Sequence, residues 1–131
     1  MNLIAIFLFL LIPFNGIVAA DVIETLGNSM KNGNSTEIAS YFGATVDLTV
    51  LEEEDVYSKS QAEVILRNFF KSHIPKDFTV LHQGASKEDS KYVIGNLVTS
   101  NGNFRCYFLL KNINGKFTIQ ELRIEKDKVE H

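Results

Sequence analysis

The sequence predicts an α+β domain in which three helices pack on one face of a curved antiparallel sheet. Apolar residues recur at helical spacing in the first half of the chain. Four segments rich in β-branched and aromatic residues then follow, with turn sequences between them. Helices and strands are therefore largely segregated along the chain, as is typical of the α+β class.

An apolar run, Leu3–Ile12, precedes the predicted domain. It is too short to cross a bilayer, which requires about 20 residues of helix. Val18, Ala19 and Ala20 place small side chains at the positions that a signal peptidase reads. We therefore expect residues 1–20 to be a cleaved signal peptide and residues 21–131 to form one exported domain, periplasmic or secreted. An uncleaved membrane anchor is the alternative.

Capping residues predict the first two helices. Apolar positions from Val22 to Met30 have helical spacing, and Gly33 is a typical residue after a helix end. Asn34 followed by Glu37 resembles a capping box that opens a short second helix.

A strand hairpin and a third helix follow. Val46, Leu48 and Val50 alternate with polar residues, which predicts a half-buried strand; Glu52–Asp55 is then a charged turn before a short return strand at Val56–Tyr57.

A second capping box begins the third helix. Ser58 is followed by Gln61, the apolar positions beyond it lie on one helix face, and Pro75 ends the helical pattern.

Four strands complete the predicted fold as a meander. They are Phe78–Gly84, Lys91–Ser100, Phe104–Lys111 and Lys116–Glu125. The predicted connections are Lys87–Ser90, Asn101–Gly102 and Asn112–Gly115.

This element order is similar to the nuclear transport factor 2-like (cystatin-like) superfamily, whose sheet curls into a cone closed by helices. Several short runs also resemble domain-of-unknown-function family 4783, small exported bacterial proteins. These runs are Val56–Glu63, Leu81–Gly84, Tyr92–Gly95, Arg105–Leu109 and Leu122–Glu125. The resemblance implies the cone fold and dimers that form through the outer surface of the sheet, and it implies no particular reaction.

Strand register predicts a pocket inside the cone. The expected turns place His82 opposite Gly95, Gly95 opposite Phe108, and Phe108 opposite Ile119 on one apolar face. We predict that these four residues bind a small apolar ligand, with His82 as the main polar contact. The alternative is a packed histidine whose nitrogens are satisfied by neighbours or water. A slip of one residue would move His82 to the other face.

The opposite sheet face is too apolar for a face that only water covers. Ile94, Tyr107 and Leu109 lie on it, and we predict that they form a homodimer interface. A bulge at Gln120–Glu121 would change the register further along the last strand.

Composition excludes several classes of partner and site. The net charge is −3 without a basic cluster, which argues against nucleic acid and anionic membranes. The single cysteine, Cys106, excludes an intrachain disulfide, and the three histidines have no metal-ligand spacing. We expect no metal, no cofactor and no membrane insertion after signal cleavage.

Other candidate residues favour structural roles. Cys106 is expected to be a small buried hydrophobe, and His73 to interact with a helix C-terminus. Ketosteroid-isomerase-like members of the superfamily would suggest Tyr57, Asp47 and Tyr41 as catalytic candidates, but Asp47 is predicted to face outward.

These observations favour an exported, non-enzymatic domain that binds a small ligand or a protein partner. The alternatives are a cone-pocket enzyme of isomerase or hydrolase type that uses His82, and a structural dimerisation module with a filled cone. The size of the cavity inside the cone distinguishes the three hypotheses.

Overall fold

The computed structural model describes residues 19–128. The predicted signal peptide lies outside the described residues except for Ala19 and Ala20, which begin the first helix. Within residues 19–128, no helix has the length and apolar character needed to cross a membrane.

Three helices and six strands follow in the predicted order within residues 19–128. They are α1 Ala19–Asn32, α2 Ser35–Ser40, β1 Phe42–Val50, β2 Glu53–Ser58, α3 Lys59–Ser72, β3 Pro75–Lys87, β4 Ser90–Thr99, β5 Gly102–Ile113 and β6 Lys116–Lys126. The α+β fold class, with helices packed on a curved sheet, is confirmed.

The helix ends follow from side-chain capping. The Asn34 side chain accepts a hydrogen bond from the backbone N–H of Glu37 at 3.1 Å, which begins α2. At α3 the box is complete, because Ser58 accepts from Gln61 N–H and the Gln61 side chain accepts from Ser58 N–H. The predicted starts of both helices are therefore correct to within a residue.

The sheet is mixed and not antiparallel throughout, which corrects the prediction. Its strand order is β2-β1-β6-β5-β4-β3, and β1 runs parallel to β6 while the other neighbours are antiparallel. The parallel pair joins strands from opposite ends of the chain, with Leu48 opposite Leu122. Pairing between such distant segments has no local signal in the sequence.

The sheet face that packs against the helices, here called the inner face, carries the core. Helix α1 packs mainly on β3, and α3 packs on β1 and β2. The largest fully buried side chains include Met30, Leu66, Leu97, Phe108 and Ile119. The opposite side of the sheet is called the outer face.

All three hairpins of the meander have two-residue turns. Lys87 pairs with Ser90, Thr99 with Gly102, and Ile113 with Lys116. The β4–β5 pairing is displaced by two residues from the predicted one. Because side chains alternate with a period of two, this displacement leaves every residue of β4 and β5 on its predicted face.

The predicted irregularity in β6 is a bulge. Leu109 pairs with Glu121 but Leu110 pairs with Ile119, so Gln120 is the extra residue. Beyond it, Leu122 and Ile124 are fully buried on the inner face. Alternation without the bulge would put these two residues on the outer face, and the bulge reverses that assignment.

Candidate functional site

Of the four residues predicted to bind a ligand, Gly95, Phe108 and Ile119 are buried on the inner face, whereas His82 lies apart from them. His82 lies opposite Ile94, and its partner is therefore not Gly95 as predicted. The register shifts between Ala85 and Lys87 because of a bulge. The bulge changes the pairing of His82 and its neighbours in β3 with β4 by one residue. His82 is consequently exposed on the outer face, and the predicted register is wrong at this position.

A side chain of the protein itself occupies the space beside Gly95. The ring of Phe78 lies against this glycine, and a β-carbon placed there would be 2.9 Å from Cε1 of the ring. Gly27 of α1 borders the same ring, at 3.5 Å from its ideal β-carbon position to Cδ1. Two glycines in the middle of regular elements thus make room for one aromatic ring.

Phe108 and Ile119 belong to the packed core and leave no comparable space. Phe108 is 1% exposed and Ile119 is 0% exposed. The rings of Phe78 and Phe108 meet edge to face with centroids 6.5 Å apart. Around these residues, the interior of the cone is therefore filled by aromatic and aliphatic side chains.

The other candidate residues Cys106, His73 and Asp47 lie in different parts of the fold. Cys106 is buried, and desolvation raises the pKa of its thiol above the ordinary value, which favours the protonated thiol over the reactive thiolate. His73 caps α3, with Nδ1 3.1 Å from the carbonyl oxygen of Phe69. Asp47 pairs with Val56 on the outer face, while the neighbouring pair of Val46 and Tyr57 faces the core.

Four apolar side chains form a compact block on the outer face. Tyr92 lies opposite Leu109, and Ile94 lies opposite Tyr107. All four are half-buried in the single chain. This block, here called the outer apolar patch, brings together the three residues that the sequence predicted for a dimer interface.

A charged groove borders the patch. It has a volume of about 430 Å³, and Ile94 and Tyr107 contribute to its lining together with charged residues of β5 and β6. Two nitrogens of Arg123, Nε and Nη2, donate to Glu121 at 3.2 and 3.1 Å, and the guanidinium lies 5.8 Å from the centre of the Tyr107 ring. The hydrogen bond and the charge of Glu121 raise the pKa of Arg123.

The surroundings of Arg123 also change the pKa of Tyr107. Partial burial, followed by the negative charge of Glu121, raises the pKa of Tyr107. Tyr107 is thus a neutral hydroxyl donor at the edge of an apolar surface at physiological pH.

The site residues predicted from the sequence did not include Glu121, Arg123 and Glu125 of this groove. The signal was present, because these charged residues alternate with Leu122 and Ile124. The bulge at Gln120 had to be placed first, since without it the alternation assigns each residue to the wrong face.

The part of the chain that the structure describes contains no cluster of potential metal ligands. There, no three histidine, cysteine, aspartate or glutamate side chains come together as ligands.

Comparison with protein-family models matches residues 23–125 to DUF4783, a domain of unknown function. A DUF4783 family protein from Bacteroides uniformis shares 36% identity with a TM-score of 0.77, over 82% of this chain and 99% of that chain. Another from Bacteroides ovatus shares 33% identity with a TM-score of 0.74, over 79% of this chain and 94% of that chain.

More distant structures show the same fold at low identity. A domain of unknown function with a cystatin-like fold from Nostoc punctiforme has 10% identity and a TM-score of 0.66, over 86% of this chain and 80% of that chain. Comparison with curated proteins gave no match.

Proposed function

The chain belongs to the DUF4783 family, and we propose that it is a non-enzymatic interaction domain that binds a second copy of itself through the outer apolar patch. The observation that carries this proposal is the pairing of Tyr92 with Leu109 and of Ile94 with Tyr107 on the sheet face opposite the three helices that the structure describes.

The apolar character of the patch supports association. On an antiparallel sheet with one solvated face, outward positions are ordinarily polar. Here two aromatic and two aliphatic side chains are adjacent at such positions. Burying them against a second copy removes apolar surface from water, which is the main favourable contribution to protein association.

Two-fold symmetry makes a second copy a suitable partner. A homodimer uses the same surface on both chains, so a single self-complementary patch is sufficient. Tyrosine is also enriched in the central part of protein interfaces, because it combines a large apolar ring with a polar end.

The filled cone favours interaction over small-ligand binding. A ligand in the cone would need the space that Phe78 occupies between Gly27 and Gly95. The exposed position of His82 also removes the polar group that the enzyme hypothesis placed there.

We propose in addition that the domain acts outside the cytoplasm. This proposal rests on the apolar run and the predicted cleavage site in residues 1–20. Outside the cytoplasm, an interaction domain without disulfides would depend on its packed core for stability.

Sedimentation velocity tests the proposed interface. We expect the wild-type mature domain to be a dimer at high micromolar concentration. Leu109→Lys should give a folded monomer, because it places an ammonium group between apolar partners while Leu109 remains half-exposed in the single chain. Circular dichroism establishes that the variant is folded.

Val64→Lys is the matched control. Val64 is 45% exposed on α3, in the helix layer and not on the outer face, so this variant should remain dimeric. A wild-type domain that stays monomeric at high micromolar concentration would contradict the proposal, as would a dimeric Leu109→Lys variant.

A further inference from the structure

Two charged residues of opposite sign lie side by side on the outer face without pairing. Arg105 on β5 is directly opposite Glu125 on β6, and both line the charged groove beside the outer apolar patch. Neither forms an ion pair or a side-chain hydrogen bond within the described residues. The groove therefore presents one positive and one negative group that are available to a partner.

The neighbouring pair of charges shows that the same strands can hold an ion pair. Arg123 and Glu121 are in contact at 3.1 Å, and Arg123 also lies over Tyr107. Glu125 contributes only a longer-range charge effect on Arg123. Arg123 is thus oriented by partners within its own chain, whereas Arg105 is not.

The position of the two free charges suits the border of an interface. Arg105 lies two residues from Tyr107 along β5, which places it next to the outer apolar patch on the same face. Charged groups at the border of an apolar contact determine orientation and partner choice more than they determine affinity.

We propose that Arg105 of one copy pairs with Glu125 of the second copy. Two-fold symmetry then forms this ion pair twice, and the two pairs lie next to each other at one end of the apolar contact, because Arg105 and Glu125 are neighbours in each chain. The proposal rests on the proposed function, because it names the contacts that orient the same homodimer.

Charge reversal provides a test that single-chain effects cannot mimic. In an Arg105→Glu homodimer, both proposed pairs become two facing carboxylates. In a Glu125→Arg homodimer, both become two facing guanidinium groups. Each variant alone should dimerise at least about tenfold more weakly than wild type, because like charges that face each other across an interface are strongly unfavourable.

An equimolar mixture of the two variants should restore the dimer. In the mixed dimer, each of the two proposed contacts again joins opposite charges. Within each single chain, however, residues 105 and 125 still carry like charges. Recovery on mixing therefore reports contacts between chains, and sedimentation velocity with one variant fluorescently labelled measures it.

Control variants reverse charges in the helix layer. Lys71→Glu on α3 and Glu24→Arg on α1 change exposed residues by the same amount and should leave dimerisation unchanged. Arg105→Gln and Glu125→Gln remove each charge without introducing repulsion, and we expect a smaller weakening than the reversals cause.

The outcomes separate the two proposals. A wild-type monomer would overturn the interface itself. A wild-type dimer that both reversals leave intact would overturn only the ion pair, as would reversals that weaken the dimer without recovery on mixing.

Discussion

The ring of Phe78 lies in the space that a side chain at position 95 would occupy. Gly95 is in the middle of β4, and a β-carbon there would overlap the ring. Glycine within a strand is unfavourable because it has no side chain to pack and loses the most backbone entropy on folding. Here that cost is offset by the burial of an aromatic ring from the neighbouring strand, and the interior of the cone is closed as a result.

Gly95→Ala should therefore lower the free energy of unfolding by about 1–3 kcal/mol, the usual range for overpacking. The φ angle of Gly95 is not in the left-handed region, so the substitution tests the contact and not backbone strain. Urea denaturation of the variant measures the effect. Gly43→Ala is the control, because its β-carbon would be at an ordinary 3.5 Å from Thr118 Cγ2, and it should change stability by less than about 0.5 kcal/mol.

The same substitution should cost much less once the ring is removed. In a Phe78→Ala background, Gly95→Ala has room for its methyl group, and we expect a coupling energy of at least about 1 kcal/mol between the two positions. Additive effects in this double-mutant cycle would mean that the ring and the glycine are not in direct contact.

His82→Ala should leave the stability of the domain within about 0.5 kcal/mol of wild type. The imidazole is exposed on the outer face, so its removal creates no cavity and leaves no buried polar group without a partner. Urea denaturation again provides the measurement. A loss above about 1 kcal/mol would indicate a buried histidine and so support the inward register predicted from the sequence.

Cys106 should make the domain less stable at alkaline pH. Burial raises the pKa of the thiol above its ordinary value of 9.0, so the native state keeps a proton that the unfolded state loses. Stability from this residue is therefore complete below pH 9.0 and falls as the pH rises above it, by about 1.4 kcal/mol per pH unit.

Other groups also titrate in this range, so the informative quantity is a difference. The free energy of unfolding of Cys106→Ala should be less dependent on pH between 8 and 10.5 than that of wild type. Equal slopes would show that the thiol ionises equally in both states. Native protein should also resist iodoacetamide, and it should react fully in concentrated urea.

The mature N-terminus is predicted to be Asp21. N-terminal sequencing of protein recovered from its own host tests this directly. The result matters for the fold because α1 begins at Ala19, and cleavage after Ala20 would leave the buried Val22 and Ile23 in place. Recovery of Met1 would contradict both cleavage and the proposal that the domain acts outside the cytoplasm.

Local sequence determined the elements of this protein and most of its inner face. Capping at Asn34 and Ser58 depends on residues within three positions, and both caps are found as predicted. Alternation placed Leu97, Cys106 and Phe108 on the inner face, and a two-residue error in the β4–β5 pairing did not matter because it preserves the faces.

Only the tertiary structure decided on which face of the sheet a side chain lies after a bulge has added an extra residue to its strand. The bulge between Ala85 and Lys87 moved His82 to the outer face, and the bulge at Gln120 moved Leu122 and Ile124 into the core. The sequence suggested the second bulge, at Gln120–Glu121, but gave no sign of the first, because a bulge forms where packing on both faces of the sheet favours it. The parallel pairing of β1 with β6 also joins segments far apart in the chain, and contacts of that kind are selected by the whole core and not by the neighbouring residues.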